Sequence, residues 1–252
     1  MMNLQAMPTS ARWHNQPAHH ALKLASDERW STLQELQELL QYKGPLQGRS
    51  DGELFQRRRL KVGQSALMMG QPFDGLYVVR LGTLKTMINH ADGGVHVLAF
   101  PMKGSLLGFD GIYKNTYTSD AVALTDCDLI RIPATELFSP GRGNNHLEQM
   151  AYWASSHEII QEQEGYSLTR SVKSEARVAR FLQTMSQRFA DMGFSPNRFI
   201  LPMTRRDIGH HLSVTVETVS RAFSALVQQG IISVDFREIR ILSHEALCNF
   251  ER

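Results

Sequence analysis

The sequence predicts an α+β chain in three parts: an antiparallel β-sandwich or barrel, a long helix, and a C-terminal winged helix-turn-helix. Three observations carry that reading. From Asp51 to Pro133 short strand-like runs alternate with glycine turns, as in antiparallel sandwiches and barrels. From Pro140–Asn144 to Thr169 the residues recur at three- and four-residue steps, a helical period. From Met203 to Ile232, "MTRRDIGHHLSVTVETVSRAFSALVQQGII" divides into two helices at a tight turn.

Composition limits the alternatives. The chain has 252 residues, 42% of them apolar and 21% charged, which fits a folded chain of one large domain or two ordinary ones. A net charge of +2 means that any affinity for nucleic acid must come from a local basic surface. Two distant cysteines, Cys127 and Cys248, match no disulfide or metal spacing, so a reducing cytoplasm is expected. No run approaches the roughly 18 apolar residues of a membrane span. No Gly-rich phosphate loop, nucleophile elbow or metal-spaced His/Cys set appears, so an enzyme is not expected.

Residues 1–25, including "MMNLQAMPTSARWHNQPAHH", lack an apolar signal core and read as a disordered tail. "SDERWSTLQELQELLQY" then places Trp30, Leu33, Leu36 and Leu40 at helical spacing, with Ser26 or Asp27 available as a cap. This short amphipathic helix is expected to pack on the β domain, both within 26–140. The strand runs are "RRLKV", "GLYVVRLGTLKTMIN", "VHVLAFP", "DAVALTD" and "CDLIRIP", with "ADGG" at 91–94 as a hairpin tip.

The long helix lies in 141–172. Its stripe Tyr152, Ser155, Ile159, Glu162 and Tyr166 resembles a coiled-coil seam and predicts a homodimer. The competing reading packs that stripe on its own domain. In a dimer Glu162 would face its twin, and like charges repel, so a weak or signal-dependent dimer is expected.

Residues 173–252 form the third part. Ser174–Met192 reads as a helix with Val178, Phe181, Leu182, Met185 and Phe189 on one side. Thr204 can cap the next helix with Asp207 as its capping-box partner, and Thr215 can cap the second. Gly209 supplies the small residue where the helices touch, and Ile208, Leu212, Val214, Val219 and Ala222 the apolar set. Ser213 holds a turn position that often takes glycine, at some strain if its φ is positive. The outward face of the second helix then carries Val216, Glu217, Ser220 and Arg221 near its N-terminus, where a recognition helix meets base edges. Arginine can bond guanine through two parallel hydrogen bonds, and a carboxylate can accept from the cytosine amine. Thr204, Arg205, Arg206, Thr215 and Thr218 are candidate phosphate contacts. "GIISVDFREIRIL" adds two strands around Asp235–Phe236–Arg237, a wing.

These features resemble the cyclic-AMP receptor/fumarate–nitrate regulator (Crp/Fnr) superfamily over roughly residues 51–248. "GQPFDGLYVVRLGTLK" resembles its strand–glycine–strand signature; "GFSPNRFILPMTRRDIG" and "LSVTVETVSR" resemble the fumarate–nitrate branch. The resemblance implies a cyclic-nucleotide-binding-like β-roll before the winged helix-turn-helix. It also implies a cytoplasmic homodimeric activator that touches RNA polymerase, through surface loops such as Asp92–Gly94, and reads TTGAT-N4-ATCAA-like repeats with Glu217, Ser220 and Arg221. Val216 stands where the cyclic-AMP branch has an arginine.

That family's cyclic-nucleotide binders use a Gly-Glu pair and an Arg-Ser pair. Here "GFDGIYKNTYTSDA" puts Phe109 for the glutamate and Ser119–Asp120 for Arg-Ser, and an aspartate there repels a phosphate. The branch's iron–sulfur sensor needs four thiolates, and no cysteine precedes Cys127. Neither cyclic AMP nor a cluster is expected, nor any other cofactor. A haem or small-molecule sensor of the same fold is the alternative, with His90 and His96 across the hairpin, or His14, His19 and His20, as candidate ligands. His210 and His211 read as solvent or DNA contacts, and Cys127 as packing.

Overall fold

The computed structural model describes residues 29–45, 53–89, 93–138, 146–169 and 173–250, with side chains to 163 in the long helix. In chain order the elements begin with β1 (Trp30–Thr32), α1 (Leu33–Leu39), β2 (Leu54–Leu60), β3 (Ser65–Leu67), β4 (Gly75–Leu81), β5 (Leu84–Asn89) and β6 (Val95–Ala99). There follow β7 (Leu106–Leu107), a 3-10 turn (Phe109–Gly111), β8 (Asp120–Ala123), β9 (Cys127–Pro133), α2 (Ala134–Leu137), α3 (His146–Thr169) and α4 (Ser174–Asp191). The last part comprises β10 (Arg198–Ile200), α5 (Arg205–Leu212), α6 (Val216–Gln228), β11 (Ile232–Asp235), β12 (Glu238–Ile241) and α7 (His244–Asn249).

Two antiparallel sheets, β1-β2-β9-β4-β7 and β3-β8-β5-β6, form the β domain. Period-two alternation sorts their side chains. Tyr77, Val79 and Leu129 point between the sheets with Leu67, Leu84 and Ala121. Leu76, Val78, Ile130 and Ile132 point the other way, beneath Leu33, Leu36, Leu137, Leu147 and Met150 of the three covering helices. Gly82, at φ 93°, is fixed by space as well as conformation, since a Cβ would stand 2.5 Å from the Asp126 carbonyl oxygen.

Three sequence expectations change. The first helix begins at Leu33, capped by Thr32, whose hydroxyl accepts the Glu35 N–H. Trp30 lies in β1, paired with Gln56, because β2 offers its edge to the chain there; Ser26 and Asp27 lie outside the described residues. β3 and β7, only three and two residues long, are too short for a periodic signal. The β5–β6 hairpin is present, pairing Asn89 with Val95 and Ile88 with His96. The residue paired with His96 is thus Ile88; residues 90–92 are outside the described set.

The long helix buries Leu147, Met150, Ala151 and Ala154 on its own domain. Of the seam stripe, Tyr152 is 69% and Ile159 45% exposed, while Ser155 is half-buried. Tyr166 lies beyond the described side chains. Among the described residues no helix is long and apolar enough to cross a membrane.

A third core joins the two halves. Val97 and Phe100, contributed by the β domain, pack with Phe181, Leu182, Ile208, Leu212 and Val219. His211 of α5 packs against the Phe100 and Phe181 rings, with centroids 5.2 and 5.9 Å away, and those two rings also meet at 5.9 Å; its Nδ1 is 3.1 Å from the Val97 carbonyl oxygen. Lys85 of β5 donates to Asp207 of α5 at 2.6 Å, and Arg188 of α4 donates to the Phe100 carbonyl at 3.0 Å. Truncating a buried phenylalanine such as Phe100 costs about 3–5 kcal/mol, so this contact is a structural joint. His211 is therefore an interface residue and not the solvent contact the sequence suggests.

Burial pushes His211 below its ordinary value, against the pull of the Val97 carbonyl, with His96 and Arg188 adding in the same direction as burial. The unfolded chain then takes up a proton near pH 6.5 that the buried ring refuses. Stability is full above about pH 6.5 and is lost as pH falls toward the lower folded value. Thermal unfolding from about pH 7.5 to about 5.5 should show a steeper loss for wild type than for His211→Gln. Parallel slopes would take His211 out of that account.

Candidate nucleic-acid interface

The helix-turn-helix is built by its caps. Thr204 accepts from the Asp207 N–H at 3.1 Å, and Asp207 accepts the Thr204 N–H at 2.9 Å and its hydroxyl at 2.6 Å, a complete capping box. Burial works to raise the Asp207 carboxyl, but hydrogen bonds from Lys85 and Thr204 outweigh it and hold it below the usual range. Ser213 ends α5 at φ 53° in the left-handed region, the strained conformation its place in the turn suggests. At Gly209 a Cβ would stand 2.8 Å from the Val214 carbonyl oxygen, which is why the helix crossing needs glycine. Thr215 opens α6 by accepting the Thr218 N–H at 3.2 Å.

Once capped, α6 buries Thr218, Val219, Ala222, Phe223 and Leu226, leaving Glu217, Ser220 and Arg221 exposed on one face. Backbone N–H at the helix N-terminus and the Thr215 hydroxyl hold the Glu217 carboxyl below its usual range, so it is an acceptor at neutral pH. Ser220 donates to the Val216 carbonyl at 2.9 Å and keeps its lone pairs. The Arg221 side chain, 71% exposed, reaches Glu175 of α4 at 3.8 Å and the Thr218 hydroxyl at 3.3 Å. Exposed pairs of this kind are worth little, so DNA can displace it.

The flanking residues divide. Thr204, Arg206 and Thr215 are exposed. Thr218 is buried, with its hydroxyl 3.1 Å from that of Thr215, so it supports the cap and is not open to a phosphate. Arg205 lies over the Phe223 ring, its guanidinium carbon 3.0 Å from the centroid, and burial lowers its pKa to about 10. It packs, where the sequence suggested phosphate contact alone.

Behind this surface lies a cavity of about 590 Å³ between the β domain, α3, α4 and α5. Glu158 stands in its wall, raised by burial even though it accepts the Leu106 N–H at 3.1 Å. Glu162 lines it too, raised by burial, Glu158 and Asp110. Within the chain its like-charge neighbours are Glu158 and Asp110. Arg177, Arg180 and Arg188 of α4 line the cavity as well. Asp110 accepts from the Thr118 N–H at 3.1 Å, the Thr118 hydroxyl at 2.7 Å and the Ser119 hydroxyl at 2.9 Å. The carboxylate in this cradle is therefore Asp110. Asp120, to which the sequence assigned the repulsion, turns away to Met69 N–H and Asn89. No reading of spacing along the chain brings Asp110 to Ser119, since only the fold closes that loop.

Comparison with known proteins places this geometry. Residues 57–139 match the model of the cyclic nucleotide-binding domain and residues 176–250 that of the Crp-like helix-turn-helix domain. The Transcriptional regulatory protein btr of Bordetella pertussis is 34% identical over 187 residues, covering 74% of this chain and 77% of that protein. The chain belongs to the Crp/Fnr superfamily of transcription regulators. The Fumarate and nitrate reduction regulatory protein of Vibrio cholerae is 34% identical over 217 residues, covering 86% of the regulator and 81% of that relative. The solved structure of FixK2 from Bradyrhizobium japonicum superposes with a TM-score of 0.69 at 25% identity, covering 78% and 96% of the two chains. The regulator is a DNA-binding protein of this superfamily and not an enzyme.

The two arginines of α5 separate by experiment. Arg205→Ala should cost about 1–2 kcal/mol of stability through the lost ring contact and stem packing. Arg206→Ala should leave thermal unfolding unchanged and reduce the slope of log affinity against log salt by about one. An Arg205→Ala protein of normal stability with only a shallower salt slope would restore Arg205 as a phosphate contact.

Proposed function

We propose that the regulator acts in the cytoplasm as a homodimer on inverted repeats resembling TTGAT-N4-ATCAA, activating transcription through contact with RNA polymerase. Glu217, Ser220 and Arg221 read the bases; Thr204, Arg206 and Thr215 meet phosphates. The observation that carries this reading is the isolation of the triplet: caps and core use every other face of α6, and the three side chains stay exposed at its N-terminal end. Arg221 is assigned to guanine, Glu217 to an exocyclic amine opposite and Ser220 to the neighbouring thymine. The exposed face of α3, where Tyr152, Ile159 and Ile160 present apolar surface, supports the dimer.

The reading includes neither an iron–sulfur cluster nor cyclic AMP. Cys127 is buried, donates toward the Thr83 carbonyl at 3.5 Å and is raised by burial, the environment of a packed thiol. The Asp110 carboxylate occupies donors that would otherwise be offered to an anion. The cavity favours a small-molecule effector as the signal, because its volume falls in the range of ligand sites and its walls combine apolar and charged groups.

Competition binding over every single-base variant of the half-site tests the triplet. Glu217→Ala and Arg221→Ala should each cost about 1–3 kcal/mol per half-site and relax preference at one base pair. An even loss across all variants would reduce the triplet to a solvated face.

Sedimentation tests the seam. Ile159→Glu should yield monomers with DNA affinity lowered by at least about tenfold, since two half-sites would no longer be engaged together. An unaffected Ile159→Glu dimer would remove the seam.

A further inference from the structure

The wing tip carries an aromatic side chain where the backbone favours glycine. Asp235 pairs with Glu238 across the β11–β12 hairpin, leaving a two-residue loop of Phe236 and Arg237. Phe236 has φ 56°, at the first loop position, where such hairpins prefer Gly or Asn. Its side chain is fully exposed, at 100%. Burial therefore does not explain the ring, and the local conformation opposes it; outliers of this kind collect at functional sites.

Hydrogen bonds tie the wing tip to the segment before α5. Arg237 accepts the Leu201 N–H at 2.9 Å and donates to the Pro202 carbonyl at 3.2 Å. The wing tip is thus tied to the segment that ends in the Thr204 cap and Arg206. Phe236 is thus one residue from a side chain held against Pro202, two residues before the Thr204 cap. The wing's cations are committed: Arg198 and Arg240 pair with Glu238, and Arg237 with Pro202. Beside the ring Asp235 is exposed and repels phosphates. What the tip offers is an apolar ring, and apolar wedges enter minor grooves, unstacking a base step.

We infer that Phe236 is a DNA contact that enters the minor groove flanking each half-site and favours flexible pyrimidine–purine steps there. This rests on the reading of α6 as the recognition helix. Wedging is easiest at TA or CA steps and hardest in stiff A-tracts, so Phe236 confers preference at bases outside the half-site that no side chain of α6 reads.

The test compares wild type, Phe236→Gly, Phe236→Tyr and Arg221→Ala on two duplexes with the same inverted repeat, one flanked by TA steps and one by A-tracts. Glycine suits φ 56° and preserves the hairpin, which a thermal melt verifies. Wild type and Phe236→Tyr should prefer the TA duplex; Phe236→Gly should lose about tenfold on it, lose the flank preference and keep its salt slope. Arg221→Ala should keep the flank preference while losing discrimination within the half-site, so failure of the triplet and failure of the wedge give different patterns. Phe236→Gly binding both duplexes like wild type would overturn the inference. A reduced salt slope would make the tip a phosphate contact, and unchanged DNA binding with altered transcription would make it a protein contact; either result overturns it.

Discussion

The docking of α5 on β6 is the contact from which the arrangement of the molecule follows. A C-terminal region of some 75 residues, the span matched by the helix-turn-helix model, makes only a marginal core by itself. Here it borrows Val97 and Phe100 from the β domain. The side chains that hold α5 in place are also those that shape the helix-turn-helix: Asp207 closes the capping box and receives Lys85, and His211 completes a cluster of three rings with Phe100 and Phe181. Orientation of the recognition helix and integrity of its fold are therefore one problem. A change in the β domain that moves β6 must either carry α5 along or expose Phe100.

That coupling gives the cavity its meaning. Its walls come from both halves, with Glu158 and Glu162 on α3 and Arg177 and Arg188 on α4. Arg177 also donates to the Leu212 carbonyl at the C-terminus of α5 at 3.2 Å, where a cation is favourably placed. An acidic wall and a basic wall on successive helices attract across the space between them, and a low-dielectric setting strengthens that attraction. Burial raises Glu158 and lowers Arg188 from their ordinary values, while the attraction between the two works against each shift.

Much of this was legible in the sequence, and the limits follow from what sequence patterns encode. Local physics was readable: the Thr204–Asp207 box, the Thr215 cap, Gly209 at the crossing and the strand runs are all specified within a few residues. The exposed triplet was readable too, since a helix whose apolar set is spoken for must turn its remaining face outward. Contacts between distant segments were not. Thr218 and Arg205 have the residue types of phosphate contacts, and only the packing shows one buried and the other on Phe223. His211 beside His210 looks like surface until Val97 is brought against it. Asp110, rather than Asp120, meets Ser119 because of a loop closure that periodicity does not report.

The same geometry bounds how a signal can reach DNA. A ligand shifts the balance between two arrangements only by the difference in its affinity for them. One that touched the β domain alone would bind both arrangements equally and change nothing, however tight. The cavity meets the condition, because Phe109 and Asp110 on one side and Arg177, His211 and Ser213 on the other line the same space. Moving α5 would change the second set while leaving the first. To invert a hundredfold preference, an effector must favour one arrangement about 10⁴-fold, roughly 5.5 kcal/mol. Two or three charge-assisted hydrogen bonds made in one arrangement and lost in the other supply that, and the arginines of α4 are placed to make them.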